Sequence, residues 1–167
     1  MGLATFIGGI HPFEGKELSE DKPIKYLEPL QGEVMVYPLS QHIGAPAKPL
    51  VAKGDKVLVG QKIAEAGGFI SANVICSVSG TVKGIESKLV ANGAMVQSIL
   101  VENDGEEEAI EGFGTDRDAS KLSKEEIRQI VKDAGIVGLG GAGFPTHVKL
   151  SPKEPDKIDH ILVNGAE

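Results

Sequence analysis

Val51-Ala52-Lys53-Gly54-Asp55-Lys56-Val57-Leu58-Val59-Gly60-Gln61-Lys62-Ile63 reads as strand, glycine turn, strand. It is echoed by Val90-Ala91-Asn92-Gly93-Ala94-Met95-Val96-Gln97-Ser98-Ile99-Leu100. Short runs rich in β-branched residues suit the pleated, half-buried surface of a sheet. Such runs continue on both sides of the pair through Val34, Val36, Val74, Val78, Val82 and Ile85, with Gly44, Gly80 and Gly84 between them. Strands this short make a core only by stacking two sheets or closing them. An all-β unit of two similar halves is expected over residues 31–104.

Gly54-Asp55-x-Val57-x-x-Gly60-Gln61, followed by Ser77-Val78-Ser79-Gly80-Thr81-Val82, resembles the biotinyl/lipoyl domains. That resemblance implies a barrel-sandwich hybrid. Carriers of the family present a modifiable lysine at a hairpin tip between these two motifs. The corresponding stretch here is Glu65-Ala66-Gly67-Gly68-Phe69-Ile70-Ser71-Ala72-Asn73, which contains no lysine. Without an amine no amide to biotin or lipoate can form there, so a structural or docking module is expected.

A second unit follows. Ser123 and Glu126 spell a capping box, in which each residue satisfies an orphan N–H at a helix start. Ile127, Ile130, Val131 and Ala134 have the spacing of one buried helix face, and Gly135 stands where a left-handed C-cap belongs. This helix of about three turns feeds Gly138-Leu139-Gly140-Gly141-Ala142-Gly143-Phe144-Pro145-Thr146-His147-Val148-Lys149. Four glycines in six residues free the backbone for positive φ, and their N–H groups can form an anion-binding nest. Pro145 and Thr146 suit the start of a further helix, and Lys149 is a cation within reach. The glycines spell G-x-G-x-x-G, but a helix rather than a strand leads into them, and no P-loop pattern is present. Spacing alone leaves a cofactor loop and a tight structural turn both open. Beyond a polar break at residues 151–155, residues 158–163 read as a buried strand, with residues 164–167 just past its end.

The glycine run, Phe144-Pro145-Thr146, Lys149 and Asn164-Gly165-Ala166-Glu167 together resemble the flavin-binding subunit of respiratory NADH dehydrogenases. They are closer still to the RnfC subunits of Rnf electron-transport complexes, which share Gly8-Gly9-Ile10-His11-Pro12 and Gln41-His42-Ile43-Gly44. The resemblance covers essentially the whole chain. It implies an α/β domain handling FMN and NAD(H), begun over residues 121–167 and incomplete within them. It carries Gly138, Leu139, Gly140, Gly141 and Gly143 to the flavin, Lys149 to its phosphate or ring, and Asn164 and Glu167 to its ribityl edge. Phe144 matches an aromatic that stacks on the nicotinamide nucleotide. Two departures stand out: the dehydrogenase pattern has arginine where this chain has Leu139, and aspartate where it has Ala166. Each loss removes a polar partner for the cofactor.

The resemblance further implies a peripheral subunit on the cytoplasmic face of the membrane. It would pass electrons between NADH, FMN and iron–sulfur clusters in a ferredoxin:NAD⁺ oxidoreductase coupled to Na⁺ or H⁺ transport. Its partners would be the other Rnf subunits and, indirectly, ferredoxin. The two [4Fe–4S] clusters of the family belong to sequence outside these residues, where Cys76 is the single cysteine. These residues alone are expected to be inactive. Rival readings are a soluble reductase of the same architecture, feeding a cobalamin or proline reductase system, and a non-catalytic docking module.

Composition narrows the field. A net charge of -7 and a pI near 5.2, with scattered lysines, argue against nucleic acid. Cys76 has no disulfide partner and, within Val74-Ile75-Cys76-Ser77-Val78, reads as a buried inert thiol. His11, His42, His147 and His160 lack metal-ligand spacing. No apolar run approaches the roughly 20 residues that span a bilayer. Residues 1–30 read as an extended arm with turns, and residues 105–120 as an acidic, solvated linker. No catalytic acid, base or nucleophile is expected.

Overall fold

A computed structural model describes residue 13 and residues 15–26, 28–139 and 143–162. The Gly8 to Pro12 segment, Gly140, Gly141, Asn164, Ala166 and Glu167 lie outside the described residues. In chain order the strands are β1 (Val34–Pro38), β2 (Lys48–Pro49), β3 (Lys56–Val57), β4 (Lys62–Glu65), β5 (Val74–Ile75), β6 (Gly80–Leu89) and β7 (Met95–Asn103). They form a four-stranded sheet in the order β1-β7-β6-β3 and a three-stranded sheet in the order β2-β4-β5, antiparallel throughout. Two small helices follow: α1 (Lys124–Asp133) and α2 (Thr146–Lys149). This is the expected barrel-sandwich hybrid, mostly strand, with a short helical continuation.

The two sheets close on one apolar core. Val57, Ile63, Val82, Ile99 and Val101 are essentially inaccessible, and Tyr37, Leu39, Val74, Cys76 and Val78 complete the cluster. The middle of β7 is buried on both faces, through Ser98, Ile99, Leu100 and Val101. Gly80 makes that packing possible, because a Cβ there would lie 2.0 Å from the Glu102 carbonyl oxygen. A bulge between Val82 and Gly84 shifts the β6–β7 register, and such bulges bend and twist a strand. Beyond it the hairpin leaves the core, so that Leu89 and Met95 are exposed.

The repeat shows most clearly in its turns. Gly54 and Gly93 both take positive φ, at 96° and 82°. Each turn is tightened by a neighbouring side chain: Asp55 accepts from the Ala52 N–H at 2.8 Å, and Asn92 from the Ala94 N–H at 2.9 Å. The halves differ beyond that. The first is broken into strands of two to four residues, whereas the second is one long hairpin.

Polar groups in the core are paired, and no buried side-chain nitrogen or oxygen among the described residues lacks a partner. The Tyr37 hydroxyl accepts from the Ser77 N–H at 3.1 Å and shares a 2.9 Å hydrogen bond with the Ser77 hydroxyl, joining β1 to the chain beyond β5. Burial pushes the Tyr37 phenol up to about 12. Cys76 is a free, buried thiol that donates to the Val78 carbonyl at 3.1 Å.

Three expectations are corrected. The acidic segment after β7 is tied down through its backbone along its first part, while every residue from 105 to 120 is exposed as expected. The Val59 N–H donates to the Glu108 carbonyl and the Ile110 N–H to the Val59 carbonyl, so this segment pairs in parallel at an otherwise open edge. The Phe113 ring lies over Gly60, where a Cβ would come within 2.4 Å of it. Second, α1 buries none of its residues: Ile127 is exposed, and Ile130 and Val131 are only half-buried. Third, residues 158–162 do not form a strand, and Ile161 and Leu162 are 84% and 97% exposed. A parallel strand needs hydrogen-bonded neighbours and cover on both faces, and the described residues supply neither around residues 158–162.

Truncating Ile99 to alanine is expected to cost about 2–5 kcal/mol, as buried Ile→Ala changes do. Leu89→Ala on the protruding hairpin should stay within about 0.5 kcal/mol. Urea unfolding followed by circular dichroism measures both; a similar midpoint for the two variants would contradict the assigned core.

Candidate functional site

Helix α1 begins and ends through local chemistry. The Ser123 hydroxyl accepts from the Glu126 N–H at 3.2 Å, and the Glu126 carboxylate accepts from the Ser123 N–H at 2.7 Å. These bonds hold the Glu126 carboxyl below its ordinary value. At the other end the Gly135 N–H donates to the Lys132 carbonyl and the Ile136 N–H to the Val131 carbonyl. With Gly135 at φ 65°, this is a Schellman cap.

The two described flanks of the glycine run meet as a two-stranded neck. Val137 bridges Pro145 in antiparallel fashion, the Gly138 N–H donates to the Phe144 carbonyl at 3.0 Å, and the Thr146 N–H donates to the Ile136 carbonyl at 2.9 Å. Residues 140–142, on whose N–H groups the expected anion nest largely rests, lie outside the described residues. The Gly138 N–H is used within the loop, Pro145 has none, and α2 is a single turn. What stands at the loop is a cation. The Lys149 ammonium reaches back to Gly138, where a Cβ would lie only 2.7 Å from Nζ. A cavity of about 500 Å³ opens beside it, lined by Gly138, Leu139 and Gly143 on one side and by Ser40, Gln41 and Asn92 of the barrel on the other.

The loop and helix are seated on the barrel by close backbone contact. A Cβ on Gly143, whose φ is 64°, would lie 2.7 Å from the Gln41 carbonyl oxygen; one on Gly135 would lie 2.3 Å from that of Asn73. The Asn73 carboxamide donates to the Lys132 and Asp133 carbonyls at 3.2 and 3.3 Å. The His147 ring lies near the backbone of Phe69, while burial, with the Lys132 charge nearby, holds its imidazole below the ordinary value.

The stretch receiving these contacts is the hairpin tip that a carrier domain would modify. Here it is stapled down. Ser71, fully buried, donates to the Ala45 carbonyl at 2.7 Å and accepts from the Gly67 N–H. The Ala72 N–H donates to His42 Nε2 at 3.1 Å, and the ring's Nδ1 faces the Ile43 carbonyl at 3.2 Å. Gly44 and Gly67 lie flat against the Ile70 and Pro46 carbonyls.

Of the sequence-derived site residues, the fold brings Gly138, Phe144 and Lys149 together around the loop neck. Gly143 turns toward the barrel, and Leu139 is 92% exposed. Asn73, Ser71 and Gly135 were not read as site residues. The signal that could have found them was a hairpin tip without its lysine that kept paired glycines, Ser71 and Asn73. Among the described residues no group of three or more His, Cys, Asp or Glu side chains could hold a metal ion. No helix among them is long and apolar enough to cross a membrane.

Comparison with known proteins finds the same two units, a barrel-sandwich hybrid followed by the start of a second domain. The model of the RnfC barrel-sandwich hybrid domain matches residues 4–106, and that of the Nuo51 FMN-binding domain matches residues 131–167. The chain belongs to the RnfC family. It is 44% identical over 165 residues to the C subunit of the proton-translocating ferredoxin:NAD⁺ oxidoreductase complex of Clostridium ljungdahlii, covering 99% of this chain and 36% of that one. It is 43% identical to the Na⁺-translocating counterpart of Acetobacterium woodii, covering 98% and 36%. The C subunit of an ion-translocating oxidoreductase complex of Pseudomonas aeruginosa is 41% identical, covering 99% and 21%. The chain thus spans 36% or less of the length of these relatives.

Because the folded-state pKa of His147 is depressed, folding favours its neutral ring. That contribution is complete above the unfolded value of 6.5 and is lost as pH falls from there through the folded-state pKa. Hydrogen exchange across α2, corrected for intrinsic rates, should therefore quicken below pH 6.5. The His147→Gln variant should lose this dependence; a variant that keeps it would show that another group is responsible.

Proposed function

We propose that this chain is the N-terminal part of the NAD(H)-reactive subunit of a membrane-bound ferredoxin:NAD⁺ oxidoreductase. In that reading the full-length protein passes electrons between NADH, FMN and two [4Fe–4S] clusters, coupled to Na⁺ or H⁺ transport. It sits peripherally against other subunits of the complex, on the cytoplasmic face, and deals with ferredoxin indirectly. The family match and the functions that the relatives' names carry support it. The domain division proposed with it is an arm over 1–30, the barrel over 31–104, a connector over 105–120 and the start of the flavin lobe over 121–167.

The observation that carries the flavin reading is the placement of Lys149 against Gly138. A glycine there leaves room that a Cβ would fill, and the ammonium lies against Gly138, which itself lines an open cavity. A cation held against bare backbone fits an anionic or electron-rich group such as the phosphate or ring edge of FMN. In this proposal Gly138, Leu139, Gly140, Gly141 and Gly143 give the flavin its backbone wall and Lys149 its charge. Phe144 offers the nicotinamide nucleotide an apolar face, and Asn164 and Glu167 complete the ribityl side. Bound FMN would supply the exchange between two-electron hydride chemistry and single-electron transfer. The chain's own part is to bind and orient, with the barrel as a rigid platform under the loop. No proton donor or nucleophile is needed for that role.

Fluorescence titration with FMN tests the assignment on the full-length protein. Lys149→Ala should weaken binding by about tenfold or more, the effect of losing one charge-assisted hydrogen bond. Equal affinities in the two proteins would remove Lys149 from the site, and absence of binding in both would overturn the flavin reading.

A further inference from the structure

We propose that Asn73 is the positioning residue of the glycine loop. Its carboxamide ends helix α1 on the barrel and so sets where the loop stands. The consequence for cofactor binding rests on the flavin reading above; the docking itself does not.

The amide has one sensible orientation. Its oxygen accepts from the Ala66 N–H at 2.9 Å, across the base of the hairpin tip. Its nitrogen therefore faces the Lys132 and Asp133 carbonyls, at 3.2 and 3.3 Å. Those carbonyls lie in the last turn of α1, where acceptors carry partial negative charge; the Lys132 carbonyl, which also takes the Gly135 N–H, has a second lone pair for the amide. A carboxamide is the small side chain that offers an acceptor and two donors on one flat group. A carboxylate of the same shape could keep the Ala66 bond, but it would set negative oxygens against the helix carbonyls.

The seat also has no slack. Gly135 approaches the Asn73 carbonyl so closely that a Cβ would be 2.3 Å away, and the tip beneath is held by Ser71, His42 and the Ala45–Ile70 backbone bond. Only Ile136 and Val137 separate Gly135 from Gly138, and both belong to the loop neck. A shift of the helix end is passed directly to the loop and to Lys149. The tip at which a carrier would bear its prosthetic group thus serves here as a fixed dock for a neighbouring lobe.

The test compares Asn73→Asp and Asn73→Ala with wild type in the full-length protein, by hydrogen exchange and by FMN titration. Asn73→Asp retains the hairpin acceptor, so the barrel is expected to keep its urea midpoint. Exchange at residues 132–138 should quicken by about tenfold, and FMN affinity should fall by a similar factor. Protonation gives the substituted carboxyl a donor, so relative to wild type the Asn73→Asp defect should shrink as pH falls toward about 4–5. The Asn73→Ala defect should not change with pH. Wild-type exchange in Asn73→Asp overturns the docking claim. Altered exchange with wild-type FMN affinity overturns positioning, and so does an Asn73→Asp defect of the same size at every pH. If the wild-type protein takes up no FMN, the flavin reading fails, while the exchange arm still decides whether Asn73 docks the helix.

Discussion

Two backbones approach each other at Gly135 and Asn73 with no room for a Cβ between them. The same happens at Gly143 and Gln41. Everything after the barrel depends on these close approaches. α1 buries none of its residues, so the hydrophobic effect holds it only weakly. Its position comes from the capping amide of Asn73, the Schellman turn at Gly135 and the contact of His147 with Phe69. A short helix without an apolar seat is marginal in water, and here polar contacts at its end do the holding.

Those contacts work only because the barrel is stiff. The cluster around Ile63, Ile99 and Val101 joins the two sheets, and Tyr37 ties β1 to Ser77. Buried Ser71 and His42 then fasten the hairpin tip to residues 42–45 with backbone and side-chain bonds. A buried polar group left unpaired costs about 1–3 kcal/mol, so this arrangement resists partial opening. A fold whose carriers swing a prosthetic group at this tip has the tip locked instead. The loss of the lysine and the gain of a dock are two sides of one change.

The local signals in the sequence were legible because they involve near neighbours. The capping box of Ser123 and Glu126, the C-cap at Gly135 and the turns at Gly54 and Gly93 each follow from a few adjacent residues. The barrel-sandwich fold was readable from its short β-branched runs and glycine spacing. Readings that depended on distant partners fared differently. Residues 158–162 have strand composition but no neighbouring strand among the described residues, and they are exposed. The apolar stripe of α1 has helical period but is covered only in part, with Ile130 and Val131 half-buried and Ile127 exposed. The acidic segment found an edge to pair with at Val59, which its charge did not announce. At the candidate site Gly138 and Lys149 were legible as glycine and cation. The direction of the Gly138 N–H was not, because it depends on the loop closing at Phe144. Asn73 was missed because its partners are 59 and 60 residues away.

The measurement that bears most directly on the account is anaerobic addition of NADH to the full-length protein loaded with FMN, followed by the absorbance of oxidised flavin. The account predicts that the flavin band bleaches with NADH and returns when an acceptor of single electrons is added. A flavin that stays oxidised in the presence of excess NADH would contradict it, leaving the barrel and loop as a docking assembly without a part in hydride transfer.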